Sequence, residues 1–213
     1  MTRIILVRHG KSVANDKDIF AGHLDVDLHE TGATQARLTA EYIAENFKVD
    51  RVIASDLKRA FYTGKIIADR LGLSVTPDSG FREIDAGEWD GKVFSDLPRL
   101  YPDEFSKWRN DIGNSMCTGG ETTKELYERI LKSLNRVVSE NEGKTVVIAS
   151  HATPIRCVGA ALIYGNVHEM NKVPWATNAS ATIVTFDNGK WTLEKYSEDA
   201  HMESLKTALP SNV

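Results

Sequence analysis

The stretch Ile4-Ile5-Leu6-Val7-Arg8-His9-Gly10-Lys11-Ser12 reads as a buried parallel strand that ends on a cation and an imidazole. Four consecutive apolar residues without alternation are expected where both faces of a strand are covered. Gly10 then permits a sharp turn of the backbone. In an open α/β sheet, ligands bind beyond the carboxyl ends of the strands, so Arg8 and His9 stand where chemistry is expected. Taken alone, one Arg-His pair reads more readily as an ordinary polar strand end. A second run in the same setting changes that balance: Thr145-Val146-Val147-Ile148-Ala149-Ser150 is again an apolar strand, and it stops at His151. Beyond it, Thr153 is expected to cap a helix whose first residue is Pro154.

Outward from these strands the chain alternates. Ala33, Ala36, Ala40, Ile43, Ala44 and Phe47 recur at helical spacing and predict a helix from about Thr31 to Asn46. Val49 to Ala54 reads as a strand, and Leu57, Ala60, Phe61, Gly64, Ile67, Ala68 and Leu71 form the next helical stripe. A short strand near Ser74 to Thr76 leads into Phe81-Arg82-Glu83. Thr122 and Glu125 have the spacing of a capping box before a helix carrying Leu126, Ile130, Leu134, Val137 and Val138. Two last strands, Ala181 to Phe186 and Trp191 to Tyr196, flank the hairpin signal Asp187-Asn188-Gly189. This order implies an α/β three-layer sandwich, with a mostly parallel central sheet and helices on both faces. Residues 1–213 are expected to form a single domain. The stretch from about 85 to 120 breaks the rhythm and is read as a small cap inserted over the carboxyl edge. Its Trp89, Phe94, Tyr101, Phe105 and Trp108 predict a satellite core, the wall of a substrate pocket, or both.

Composition narrows the function. The net charge of -4 argues against a nucleic-acid partner, whose binding domain is normally basic, but allows a small positive pocket. Cys117 and Cys157 are far apart and form neither a disulfide framework nor a zinc pattern, which fits a reducing cytosol. The first strand starts almost at Met1, leaving no room for a signal peptide, and no apolar run approaches a membrane span. A cytoplasmic protein without membrane contact is therefore expected. Asn178-Ala179-Ser180 matches a glycosylation sequon that has no use without secretion.

Four segments converge on the same sheet edge: Arg8-His9, Ser55-Asp56-Leu57-Lys58-Arg59, Arg82-Glu83 and His151. Arginine forks match phosphate oxygens, a neutral histidine can attack phosphorus, and a protonated carboxylic acid can donate to a leaving oxygen. These residues resemble the histidine phosphatase superfamily, also called phosphoglycerate mutase-like. The resemblance runs from Arg3 to about His201. It rests on Arg8-His9-Gly10 with Ser12 and Asn15, on Phe20 to Leu28 with Gly32, on Ser55 to Ala60 with Thr63, and on Glu83 and Ser150-His151.

The resemblance implies that His9 is the nucleophile that becomes phosphohistidine. It implies that Arg8, Arg59 and His151 clamp the phosphoryl group, assisted by Asn15 and the backbone at Ala21 and Gly22. Glu83 would protonate the leaving group and then activate water. It implies no cofactor and no metal, and a small-molecule phosphate ester as partner, with a homodimer left open. Flanking guanidinium groups should keep His9 neutral, and the substrate's own negative charge favours a protonated Glu83. Three departures stand out. Lys11 replaces a common acidic residue and is expected to add charge beside the phosphate; Gly64 replaces a frequent alanine; Glu198 stands where aspartate is common.

The main alternative is a cofactor-dependent phosphoglycerate mutase. After Glu83 the mutases resemble one another in an Arg-His-Tyr-Gly pattern, whereas this chain reads Ile84-Asp85-Ala86-Gly87-Glu88-Trp89. A mutase cap also needs extra cations, and Lys92, Arg99, Lys107 and Arg109 are offset here by neighbouring carboxylates. A nucleotide-binding P-loop fails because Ile5 stands where its first glycine is needed. A non-catalytic phosphoryl-binding module is disfavoured because His9 and Glu83 are both present. The pattern Asp25-Val26-Asp27 with His29 reads as a structural loop rather than a metal site. His168 and His201 read as surface or packing residues, and His23 is left undecided.

Overall fold

The computed structural model describes residues 1–207. Six strands, β1 (Thr2–Arg8), β2 (Arg51–Ala54), β3 (Val75–Pro77), β4 (Thr145–Ser150), β5 (Ala181–Asp187) and β6 (Lys190–Glu198), form one sheet in the order β3-β2-β4-β1-β5-β6. The first four in that order are parallel, and the β5–β6 hairpin joins β1 antiparallel. Asn188 and Gly189 form the two-residue turn, both at positive φ, which matches the right-handed twist of the paired strands.

Alternate residues of the central strands feed two separate cores, as the two-residue period of a strand demands. Ile4, Leu6, Ile53, Val146 and Ile148 belong to one core, and Ile5, Val7, Val52 and Val147 to the other. Seven helices surround the sheet: α1 (Val13–Asp16), α2 (Glu30–Asn46), α3 (Lys58–Leu71), α4 (Leu97–Leu100), α5 (Pro102–Asn110), α6 (Thr123–Glu140) and α7 (Ala152–Tyr164). Helices α2 and α3 close the Ile5–Val7 face, while α6 and α7 close the Ile4–Leu6 face. Both cysteines are buried in the latter core.

The capping box at Thr122 and Glu125 forms as the sequence predicts. The start of α7 differs from the expectation. The helix begins at Ala152 with His151 at the cap position, and Thr153 is already helical. The reason is electrostatic: the Thr153 N–H is met by the Glu83 carboxylate at 3.4 Å, so a distant segment takes over the role of a local cap. The aromatics between β3 and α6 are a core and a wall at once. Trp89, Phe105 and Trp108 are buried against Phe20 and Phe94, and Phe94 and Trp108 also line a cavity at the strand ends.

Candidate active site

Three neighbouring parallel strands stop together, and their registers set the site. Arg8 pairs with Ser150, and Ala54 pairs with Ala149, so His9, His151 and Ser55 follow at adjacent strand ends. The His9 N–H donates to the Ser150 carbonyl at 2.9 Å, and the Ser55 N–H to the Ala149 carbonyl at 2.8 Å. The two imidazoles meet edge to face with centroids 5.2 Å apart.

Each ring is orientated by one hydrogen bond. His9 Nδ1 lies 2.8 Å from the Gly10 carbonyl oxygen, which can only accept, so Nδ1 carries the proton. Burial, reinforced by Arg59 and Arg8, holds the imidazolium well below its usual range. Nε2 is left with its lone pair and no partner among the described residues. His151 is set the other way. Its Nε2 lies 2.8 Å from Ser55 Oγ, and among the described residues the Ser55 hydroxyl meets no other acceptor, so its O–H is directed to Nε2. The proton of neutral His151 is then on Nδ1, a buried donor without a partner. A buried orphan donor at the end of a strand is a place for a ligand oxygen.

The arginines are equally constrained. Arg8 Nη1 donates to the Ala176 carbonyl at 2.6 Å, and its Nε is unpartnered. Burial pushes its pKa down to about 10 against the opposing pull of Glu83. Arg59 spends both protons of Nη2 on the Ala21 and Gly22 carbonyls and one of Nη1 on Leu24. With both Nη2 protons used, neither two-pronged edge of the guanidinium is open, and Nε and the second Nη1 proton are left as single donors among the described residues. Glu83 takes the Ile84 N–H on Oε1 at 2.9 Å and the Thr153 N–H on Oε2. Arg8, Asn15, Ala21 and Glu83 all line a cavity of about 160 Å³, together with Phe20, Phe94, Trp108 and Trp175.

The structure corrects some of the sequence expectations and agrees with others. Gly10 is not a left-handed turn; a Cβ there would overlap the Gly32 carbonyl, and one on Gly32 would overlap the Lys11 carbonyl. The glycines serve close approach of two loops. The Gly22 N–H is not available to a phosphate, because Asp90 Oδ1 accepts it at 2.6 Å. Ala21 beside it lines the cavity with its N–H unclaimed, so the backbone donor is one residue earlier. Lys11 points away to an ion pair with Asp16. Arg82 forks onto Asp56 at the surface rather than joining the site. Asp25 accepts the Lys58 N–H, and His29 Nδ1 caps α2, so that loop is structural. His23 donates through Nε2 to the Glu83 carbonyl at 3.0 Å and supports that residue from behind. His201 stacks on Tyr42 and His168 bonds Asn114, both away from the cavity.

Sequence reading placed Ser55 at the site without a role for its side chain, and gave no site role to Asn178, Asp90 and Trp175. Asn178 Nδ2 reaches the His9 carbonyl at 3.0 Å and Asn15 Oδ1 at 3.3 Å. With Ser12 donating twice to that same oxygen, Asn15 Nδ2 is turned outward as a donor. The only sequence sign of Asn178 was an unused sequon. Among the described residues no cluster of three or more histidine, cysteine or acidic side chains is placed to hold a metal ion.

This geometry is matched by a family model. The model of the histidine phosphatase superfamily (branch 1) matches residues 4–199. The chain belongs to this superfamily. As a branch 1 member it is 34% identical to "Phosphoglycerate mutase-like protein 4" of Arabidopsis thaliana, over 94% of this chain and 86% of that protein. It is 30% identical to "Phosphoserine phosphatase 1" of Hydrogenobacter thermophilus, over 95% of each chain. Among solved structures, a mycobacterial glucosyl-3-phosphoglycerate phosphatase in complex with VO3 superposes with a TM-score of 0.84 at 28% identity. The match covers 92% of this histidine phosphatase superfamily chain and 98% of the other. No helix among the described residues is long and apolar enough to cross a membrane.

Proposed function

We propose that the chain is a metal-independent phosphomonoesterase that hydrolyses small phosphorylated metabolites through a phosphohistidine at His9. The observation that carries this reading is the Gly10 carbonyl, which ties down Nδ1 and leaves Nε2 of a neutral ring to attack. His9 Nε2 bonds to phosphorus as the ester P–O bond breaks, and Glu83 gives its proton to the departing oxygen. Arg8, the Arg59 Nε–H, His151 Nδ1, Asn15 Nδ2 and the Ala21 N–H meet the phosphoryl oxygens, whose charge grows in the transition state. Water then attacks phosphorus, Glu83 takes its proton, and the N–P bond breaks to release phosphate.

The segment of residues 85–120 acts as the cap that shapes the alcohol side of the substrate. Phe94 and Trp108 stand beside Ile19, Phe20 and Trp175, a wall suited to an alcohol with an apolar part. The phosphatase names of several relatives support hydrolysis over transfer to a second substrate oxygen. So does the placement of Lys92, Arg99 and Lys107, none of which lines the catalytic cavity.

The test is product analysis. The enzyme, saturated with chelator and given a panel of phosphomonoesters including 3-phosphoglycerate, should release inorganic phosphate at undiminished rate. Formation of 2-phosphoglycerate instead would make it a mutase, and loss of turnover on chelation would defeat the metal-free reading. Glu83→Gln should slow alkyl phosphates far more than aryl phosphates, whose leaving groups need no proton. Equal losses would remove Glu83 as the donor.

A further inference from the structure

Next to the catalytic cavity, across the rings of Trp108 and Trp175, lies a second cavity of about 310 Å³. The two tryptophans line both, with centroids 6.4 Å apart. Their charges differ. The catalytic cavity mixes Arg8 with Asp18 and Glu83, whereas the second is lined by Arg109 and Arg156 and, among the described residues, by no carboxylate. In a chain of net charge -4 this is an unusual concentration of one sign.

Arg156 is the informative residue. It extends from α7, is 5% exposed, and packs its guanidinium on the Trp175 ring at 4.0 Å. Among the described residues its only acceptors are neutral main-chain carbonyls: Nε donates to Val173 at 3.0 Å and Nη2 to Met170 at 2.9 Å. A buried guanidinium normally meets a carboxylate or another anion. Burial accordingly pushes its pKa down to about 10. Nη1 and the second Nη2 proton form an open fork that matches the two oxygens of an oxyanion. Asn171 Oδ1 is occupied by the Ile112 N–H at 2.7 Å, which orientates its amide as a donor. Arg109, exposed in the last turn of α5, supplies a second charge at the rim.

We infer that this cavity is a second anion site, built by Arg156, Arg109 and Asn171 to take a carboxylate or phosphate group of a small metabolite. The group is either the far end of a substrate that crosses the tryptophan wall or a separate oxyanion. The inference rests on the cavity's own charges and geometry and does not require the reaction proposed for His9.

Equilibrium dialysis of the full chain against labelled inorganic phosphate tests it. Two sites per chain are expected. Arg8→Gln should remove the catalytic one and leave the other, while Arg109→Gln should weaken the second about tenfold without touching the first. Arg109 lies on an exposed helix surface, so this variant keeps the fold, and Arg156→Lys provides a companion that retains the charge but loses the fork. A single site insensitive to both Arg109→Gln and Arg156→Lys would overturn the proposal. Because binding is counted rather than turnover, a chain that hydrolysed nothing would defeat the catalytic reading and leave the two-site count standing. Two esters identical but for a terminal carboxylate or carboxamide separate the sources. In Arg109→Gln, a KM raised about tenfold for the carboxylate alone, with kcat retained, identifies the substrate's own end. Unchanged KM for both, with two phosphate sites still present in the unmodified chain, identifies a separate oxyanion.

Discussion

The ends of β1 and β4 lie side by side and carry the same residue type, yet the two histidines present opposite nitrogens. His9 has its Nδ1 proton tied to the next carbonyl and offers a lone pair at Nε2. His151 accepts a hydrogen bond from the Ser55 hydroxyl at Nε2 and offers an N–H at Nδ1. Both rings are kept neutral mainly by burial, with Arg59 adding to it. The charge environment therefore does not separate them. A single local partner does: a carbonyl in one case and a hydroxyl in the other. Identity of residue and of strand position says little about role until the hydrogen bond to the far nitrogen is known.

That contrast can be broken by substitution. His9→Ala should cost at least about 10⁴-fold in kcat and abolish an acid-labile, alkali-stable phosphoenzyme, because it removes the bond-forming atom. Survival of the adduct would reverse the assignment. His151→Ala should cost about 10²- to 10³-fold while the adduct still forms slowly, as for loss of one transition-state donor. If instead the adduct vanished, the two rings would have to exchange roles. Ser55→Ala leaves both rings in place but frees the His151 tautomer, and about tenfold in kcat with little change in KM is expected.

A different kind of effect is on stability, where the rings should behave alike. Their folded pKa values lie well below the usual histidine range, so the unfolded chain takes up protons first as pH falls. Stability is then full above about pH 6.5 and declines below it, by about 1.4 kcal/mol per pH unit for each ring until its folded pKa is reached. Urea unfolding compared at about pH 7.5 and about pH 5.5 should show this decline, and His151→Asn should make it shallower. An unchanged slope in that variant would mean that His151 is charged in the folded chain.

The fold was largely legible because long apolar runs and helical stripes are strong, local signals. The runs before His9 and His151 are β1 and β4, and the capping box at Thr122 opens α6 as read. What escaped depended on contacts far apart in the chain. Thr153 has the local pattern of a cap, but Glu83, 70 residues away, takes its N–H. Gly22 has a motif's look of an anion-binding backbone, but Asp90, 68 residues on, already occupies it. Lys11 stands two residues after His9 in sequence, but its side chain faces Asp16 and solvent. Trp175 belongs to no pattern at all, and only folding places it between two cavities.

Asp90 fixes more than one amide. Its two oxygens collect the N–H groups of Gly22, His23 and Leu24. Two residues on, Lys92 and Phe94 exchange main-chain bonds with Phe20 and Asp18. The loop of Phe20 to Leu24 and the aromatic segment of residues 89–94 are thereby stitched together by main-chain and carboxylate bonds, so a substitution that shifts one shifts the other.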